Sequence, residues 1–166
     1  MLKTILASAL LIVASTAQAG FEYTRDTTVR DELNGQFRMT AAGVIGEEDG
    51  SRLAEGRYTN FHPRNEATNV LDGTVTREAF RDGDMVAVSY DGNLTLTTAA
   101  TGNGNGSGNP QSRTTTIAFT DLTIERAEEG VTISGSVLVN GQSVDAAALP
   151  RPIKAVIVNA LRLFRL

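Results

Sequence analysis

The sequence predicts a mostly β protein: a curved antiparallel up-and-down meander of about seven or eight strands, an open or closed barrel-like sheet, with a C-terminal amphipathic helix packed on it. Three observations carry that expectation. Alternating apolar and polar runs, separated by Gly, Asn, Asp and Pro clusters, recur from Phe21 to Ala148. Several of these runs share the form apolar-x-Gly-x-apolar, as in Leu33-Asn34-Gly35-Gln36-Phe37, Leu71-Asp72-Gly73-Thr74-Val75, Tyr90-Asp91-Gly92-Asn93-Leu94 and Ile133-Ser134-Gly135-Ser136-Val137. The last seventeen residues, 150–166, then change from strand to helical spacing.

Residues 1–19 carry the parts of a secretory signal peptide: Lys3, the apolar run Ile5 to Ala14, and the small-residue site Ala17-Gln18-Ala19. The apolar run is too short to span a bilayer as a helix, which needs about 20 residues. Cleavage leaves residues 20–166, the size of a single β-rich domain. The chain has no cysteine, which removes thiol nucleophiles and thiolate metal sites and fits a bacterial periplasmic or extracellular protein stabilised by its sheet.

Charge is divided unevenly. Residues 20–149 hold ten arginines against nineteen acids, a balance of −9, whereas residues 150–166 hold Arg151, Lys154, Arg162 and Arg165 with no acid. An acidic body argues against nucleic acid as a partner, since phosphate binding relies on clustered basic residues.

Taken in order, Phe21 to Arg30 alternates weakly and reads as a first strand or an ordered arm. Asp31 to Val44 reads as the first clear strand, and Gly46 to Gly50 as its turn, whose acids lack the spacing of a calcium loop. Arg52 to Phe61 is the next strand, ended by Pro63. His62, the only histidine, reads as a surface polar or local hydrogen-bonding group; one histidine cannot form a histidine metal cluster.

The organising element is Val70 to Thr98, a hairpin folded about Asp82-Gly83, since Asp-Gly accepts the positive φ of a type I′ turn. That turn sets Val75 opposite Tyr90, Leu71 opposite Leu94 and Gly73 opposite Gly92. Reflecting each glycine across the next turn draws a line of small residues over the sheet, through Gly35, Gly56, Gly73, Gly92, Asp121, Gly135 and Ala146. Such a line lets a sheet coil strongly. The competing reading makes Asp72-Gly73 and Asp91-Gly92 turns between shorter strands.

Residues 99–113 form a Gly/Asn/Ser-rich stretch that reads as a flexible loop. Thr114 to Ile124 is a strand with a phase shift near Asp121, the mark of a bulge. Val131 to Val139 and Gln142 to Ala148 form a last hairpin about Asn140-Gly141, with Val137 opposite Val144. In residues 150–166, Ile153, Val156, Ile157, Ala160, Leu161 and Phe164 fall on one helical face, and Pro150 and Pro152 stand where a helix start tolerates them. A final strand through Val156-Ile157-Val158 is the alternative.

Function is less legible. No nucleophile elbow, cysteine or histidine pair is present, so the sequence points away from an enzyme and implies no catalytic residue, metal or cofactor. A weak hydrolase alternative rests on Glu78, Asp91 and Asp121, acids on or near central strands. The leading reading is an exported, non-catalytic binding or structural module. Its ligand would be a lipid or other apolar small molecule held between sheet and helix, lined by Phe37, Met39, Tyr58, Val75, Tyr90, Leu94, Phe119 and Val137. The same eight residues would serve a filled core. A different reading is a surface or matrix component that self-associates or adheres through edge strands. Membrane-surface contact through residues 150–166 is a further, less favoured role for the basic helix. A membrane barrel is disfavoured by charged residues on both strand faces and the lack of aromatic girdles.

Overall fold

The computed structural model describes residues 5–7, 11–13, 21–46, 49–83, 85–99, 112–127 and 130–165. Alternation along the chain produces one sheet. After two short strands, β1 (Ile5–Ala7) and β2 (Leu11–Val13), come β3 (Phe21–Arg30), β4 (Gln36–Ile45), β5 (Asp49–Phe61), β6 (Asn69–Asp82), β7 (Met85–Thr98), β8 (Arg113–Ala127), β9 (Gly130–Val139) and β10 (Gln142–Asp145). A helix, α1 (Arg151–Arg162), follows and ends in a 3-10 turn, Leu163–Arg165. From β3 to β10 each strand pairs antiparallel with the next, an uninterrupted up-and-down meander. β1 and β2, which lie within the segment read as a signal peptide, both pair with β3. The sheet is open, because β10 and the β1/β2 pair stand at its opposite ends. Most of the Gly/Asn/Ser stretch, residues 100–111, and parts of two turns, residues 47–48 and 128–129, lie outside the described residues.

The central hairpin forms, with a corrected register. Asp82 is the last residue of β6 and pairs with Met85, so the turn is centred one position later than expected. Arg77, not Val75, therefore faces Tyr90; Leu71 faces Leu96, and Gly73 faces Leu94. The slip moves the pairing by two residues, and since side chains alternate with period two, every residue keeps its face. Other boundaries differ as well: β5 begins at Asp49, inside the expected Gly46–Gly50 turn, and β8 runs on to Ala127. Asp31 to Gly35 is a turn rather than the start of β4, because the Asp31 carboxylate accepts from the Leu33 and Gly35 amides at 2.9 and 2.7 Å. β10 stops at Asp145, whose side chain accepts from the Ala147 amide at 2.9 Å and starts a 3-10 turn, Ala146–Ala148.

The corrected register changes what the glycines do. Gly56, Gly73 and Gly92 do not face one another; each faces bulky residues. One inward row runs Met39, Gly56, Val75, Gly92, Phe119, Val137, Val144, and the next runs Phe37, Tyr58, Gly73, Leu94, Ile117, Val139. Large against small lets side chains from neighbouring strands interdigitate at core density. The phase shift near Asp121 is present: the ladder slips between Thr120 and Thr123, Asp121 adopts φ +49°, and its amide donates to the Asp91 carboxylate at 3.1 Å. The Asn140-Gly141 turn takes positive φ at both residues, and Val137 faces Val144 as expected.

The C-terminal segment is a helix, and its expected face is the one that docks: Ile157, Ala160, Leu161 and Phe164 are buried, with Ile153 and Val156 partly so. Two contacts fix it on the sheet. Phe164 lies edge-on to Phe37 and Tyr90, with ring centroids 5.5 and 6.0 Å away. The Tyr58 hydroxyl donates to the Ala160 carbonyl at 2.8 Å, a buried bond between residues 102 positions apart. Tyr58→Phe removes that bond while leaving Ala160 O the Leu163 amide. The expected cost is about 1 kcal/mol in urea unfolding, with faster amide exchange confined to α1.

Candidate functional site

The eight residues expected to line a ligand space come together on the inner face of the sheet, all buried. Phe37 and Tyr58 pack with tilted rings at 4.7 Å, Tyr58 meets Phe61 at 5.8 Å, and Phe164 of the helix closes on Phe37 and Tyr90. A Cβ built on Gly56 would stand 2.5 Å from Phe164 Cζ and 2.6 Å from Phe37 Cε2. The inner face under the helix is thus occupied by the protein's own side chains, tightly enough that one methyl group has no room.

The inner face does not end with the helix. The strands run on past Phe164, and pairing carries the inward positions into two further rows. One is Arg25, Ala41, Ala54, Arg77, Tyr90, Leu122; the next is Tyr23, Gly43, Arg52, Ala79, Val88. Phe21, Ile45, Gly50, Arg81 and Val86 form the rim. Small residues at 41, 43 and 54 leave the long side chains of β3, β5 and β6 free to lean across β4 and β5. Tyr23 does so: its Cε1 lies 3.1 Å from where a Gly43 side chain would begin, in the row that leads to Arg52. A shallow hollow of about 200 Å³ lies here, with Tyr23, Ile45, Arg52, Ala79, Arg81 and Val86 in its wall and Asp49 at its rim. At the helix side, Tyr90 and Ile124 meet Val158, Leu161, Arg162 and Arg165, so the basic C-terminal end of the helix flanks the open half.

Charge in this half is one-sided. Arg25, Arg52, Arg77 and Arg81 occupy inward positions, and no Asp or Glu does among the described residues; Glu22, Asp26, Glu55 and Glu78 all alternate to the outer face. Outside, Arg38 pairs with Asp26 at 2.6 Å. Inside, no acid of the described residues pairs with the guanidinium groups. Nε and Nη2 of Arg52 and Nε and Nη1 of Arg77 are shielded from solvent and have no hydrogen-bond partner. Burial lowers the Arg52 pKa, an effect opposed by Tyr23 and reinforced by Arg77 and Arg25. Guanidinium stays charged across the physiological range, so Arg52 and Arg77 present unanswered positive donors, whereas Arg81 Nε donates to the Gly83 carbonyl at 3.0 Å. The alternation that identifies Arg25, Arg52 and Arg77 as inward is present in the sequence, in step with Thr27-Val29, Ala54-Tyr58 and Val75. The sequence reading places charged residues on both strand faces and does not single these arginines out.

Elsewhere the acids serve the backbone. Glu78 is exposed on the outer face; it borders an outer hollow of about 550 Å³ with Glu22, Val44, Leu53 and Phe80. Asp91 holds the bulge at Asp121, so these two meet through an amide. His62 Nδ1 lies 3.0 Å from Asp31 Oδ2, and its amide donates to the same oxygen at 2.6 Å, joining the β3–β4 turn to the end of β5. Among the described residues no group of three or more His, Cys, Asp or Glu is placed to hold a metal ion, and no helix is long and apolar enough to cross a membrane. Comparison of the chain with protein families, curated proteins and solved structures finds no match in any of the three.

Proposed function

We propose that the protein is an exported, non-catalytic binding module that carries an apolar small molecule on the inner face of its sheet, in the half that the helix leaves open. Export rests on the signal-peptide pattern of residues 1–19, which directs the chain to the periplasm or beyond. The observation that favours binding is the continuation of an apolar inner face past the end of the core. Tyr23, Ala79, Val88 and Ile124 are only partly covered, and Phe21, Ile45 and Val86 are 54, 57 and 65% exposed at its rim. Apolar surface concentrated at one end of an open sheet is the kind that a ligand or partner covers. The ligand lies beside the helix end rather than beneath it, because Phe164 and Phe37 leave no space over Gly56.

Native mass spectrometry of the protein isolated from an exporting cell without detergent tests this reading. A retained lipid-sized mass, displaced by added apolar ligand with a loss of thermal stability on stripping, is the expected result. A bare monomer that no apolar ligand stabilises would overturn it. A second reading, association through edge strands, is favoured by one feature: β1 and β2 cover the free edge of β3, and both would leave with residues 1–19. A discrete oligomer of the processed protein in sedimentation, broken by a proline in β3, would favour that reading instead.

A further inference from the structure

We infer that Arg25, Arg52 and Arg77 form a head-group site for an anionic amphiphile, a molecule with a carboxylate or phosphate at one end and an apolar chain at the other. The inference rests on the carrier reading above and adds the ligand's charge and polarity. Its structural basis is the three-strand cluster. Arg25 on β3 and Arg77 on β6 stand in one row with only alanines between them, and Arg52 on β5 stands one row further out. Four guanidinium nitrogens of Arg52 and Arg77 are already desolvated and unpartnered. Leaving charged donors buried without acceptors is costly, and the cost is relieved when an oxyanion supplies them. Guanidinium suits this role, since its forked N–H groups match the oxygens of carboxylate or phosphate in pairs.

The surroundings select the rest of the molecule. Among the described residues no acid occupies an inward strand position and Asp49 borders the hollow at its rim, so in a chain that is acidic as a whole a free anion finds this site as the attractive exception. An inorganic ion would leave the apolar wall uncovered. A chain attached to the head group would lie along Tyr23, Ala79 and Val88 toward the rim, away from the filled core. Both a free fatty acid and a phospholipid or alkyl phosphate carry the required chemistry.

Isothermal titration of the protein with decanoate, decyl phosphate, decan-1-ol and inorganic phosphate separates these elements. Decanoate and decyl phosphate are expected to bind at least about tenfold more tightly than decanol, and whichever is tighter names the source, fatty acid or phosphate ester. Arg52→Gln and Arg77→Gln should each weaken the anionic ligands by about tenfold, leave decanol unchanged, and keep or raise the melting temperature because they remove unpartnered buried donors. Arg25→Gln, at a less shielded position, serves as a third variant if either of the others unfolds. Equal binding of decanoate and decanol would overturn the head-group site while leaving the carrier reading intact. Inorganic phosphate binding as tightly as decyl phosphate would remove the amphiphile. Failure of all four ligands would overturn both.

Discussion

Gly56→Val is expected to destabilise the fold by about 3 kcal/mol or more, and to do so through the C-terminal helix. The backbone at Gly56 is not in the left-handed region, so the cost is one of space. The added side chain starts 2.5 Å from Phe164 Cζ and 2.6 Å from Phe37 Cε2, and both rings are fully buried and packed on other aromatics. Neither can rotate away without opening the contacts to Tyr58 and Tyr90. Phe164→Ala on its own should cost about 3–5 kcal/mol as a cavity-forming change. In the Phe164→Ala background, however, the valine at 56 enters the vacated volume, and the double variant should be more stable than the sum of the two losses by about 1 kcal/mol or more. Urea midpoints of the four proteins measure that coupling. Additive losses would mean that Gly56 and Phe164 do not share one space.

Asp31→Asn is the second large effect, expected at about 2–3 kcal/mol near neutral pH. One carboxylate accepts from three amides, Leu33, Gly35 and His62, and from the His62 ring, and its side chain is only 2% exposed. The asparagine keeps the shape but has one acceptor oxygen and no charge, so at least one shielded donor loses its partner. The pH dependence has a definite sign. Burial pushes the Asp31 pKa up, but the hydrogen bonds from His62, Gly35 and Leu33 outweigh it, and the net displacement is below the usual aspartate value. A carboxyl with a depressed folded pKa contributes its stability above the unfolded value and loses it as pH falls through the folded one. The gap between wild type and Asp31→Asn should therefore be full at neutral pH, and close only under acid conditions below the ordinary aspartate range. A gap that narrowed on the alkaline side instead would assign the effect to another group.

Both predictions concern residues whose identity suggested little on its own. Gly35 and Gly56 read alike in the sequence, yet Gly56 accommodates an aromatic ring from the helix, while Gly35 closes a turn against the Asn60 carbonyl and the Asp31 side chain. Asp31 read as the first residue of a strand, and its four hydrogen bonds make it the knot of a turn instead. His62 reads as a surface polar or local hydrogen-bonding group, yet its side chain is 13% exposed and its partner is 31 positions away in the chain.

The sequence by itself determined period, and through period the face of nearly every residue. Alternation set the strands, the 3.6-residue spacing set the docking face of the helix, Asn140-Gly141 set its hairpin, and the phase change at Asp121 set its bulge. These are local properties, decided by neighbours within a turn or two. Only the tertiary structure decided register, closure and what the inward faces enclose. A slip of two residues preserves alternation, so the pattern around Asp82-Gly83 cannot distinguish Gly73 facing Gly92 from Gly73 facing Leu94; the fit of large against small across strands does. Whether the sheet closes depends on what fills its interior, and a helix bound through Tyr58 and Phe164 does so from a hundred residues away. The inward arginines belong to both levels. Their parity is written in the chain, but that no carboxylate of the described residues shares an inward strand position with them appears only when β3, β5 and β6 are brought side by side.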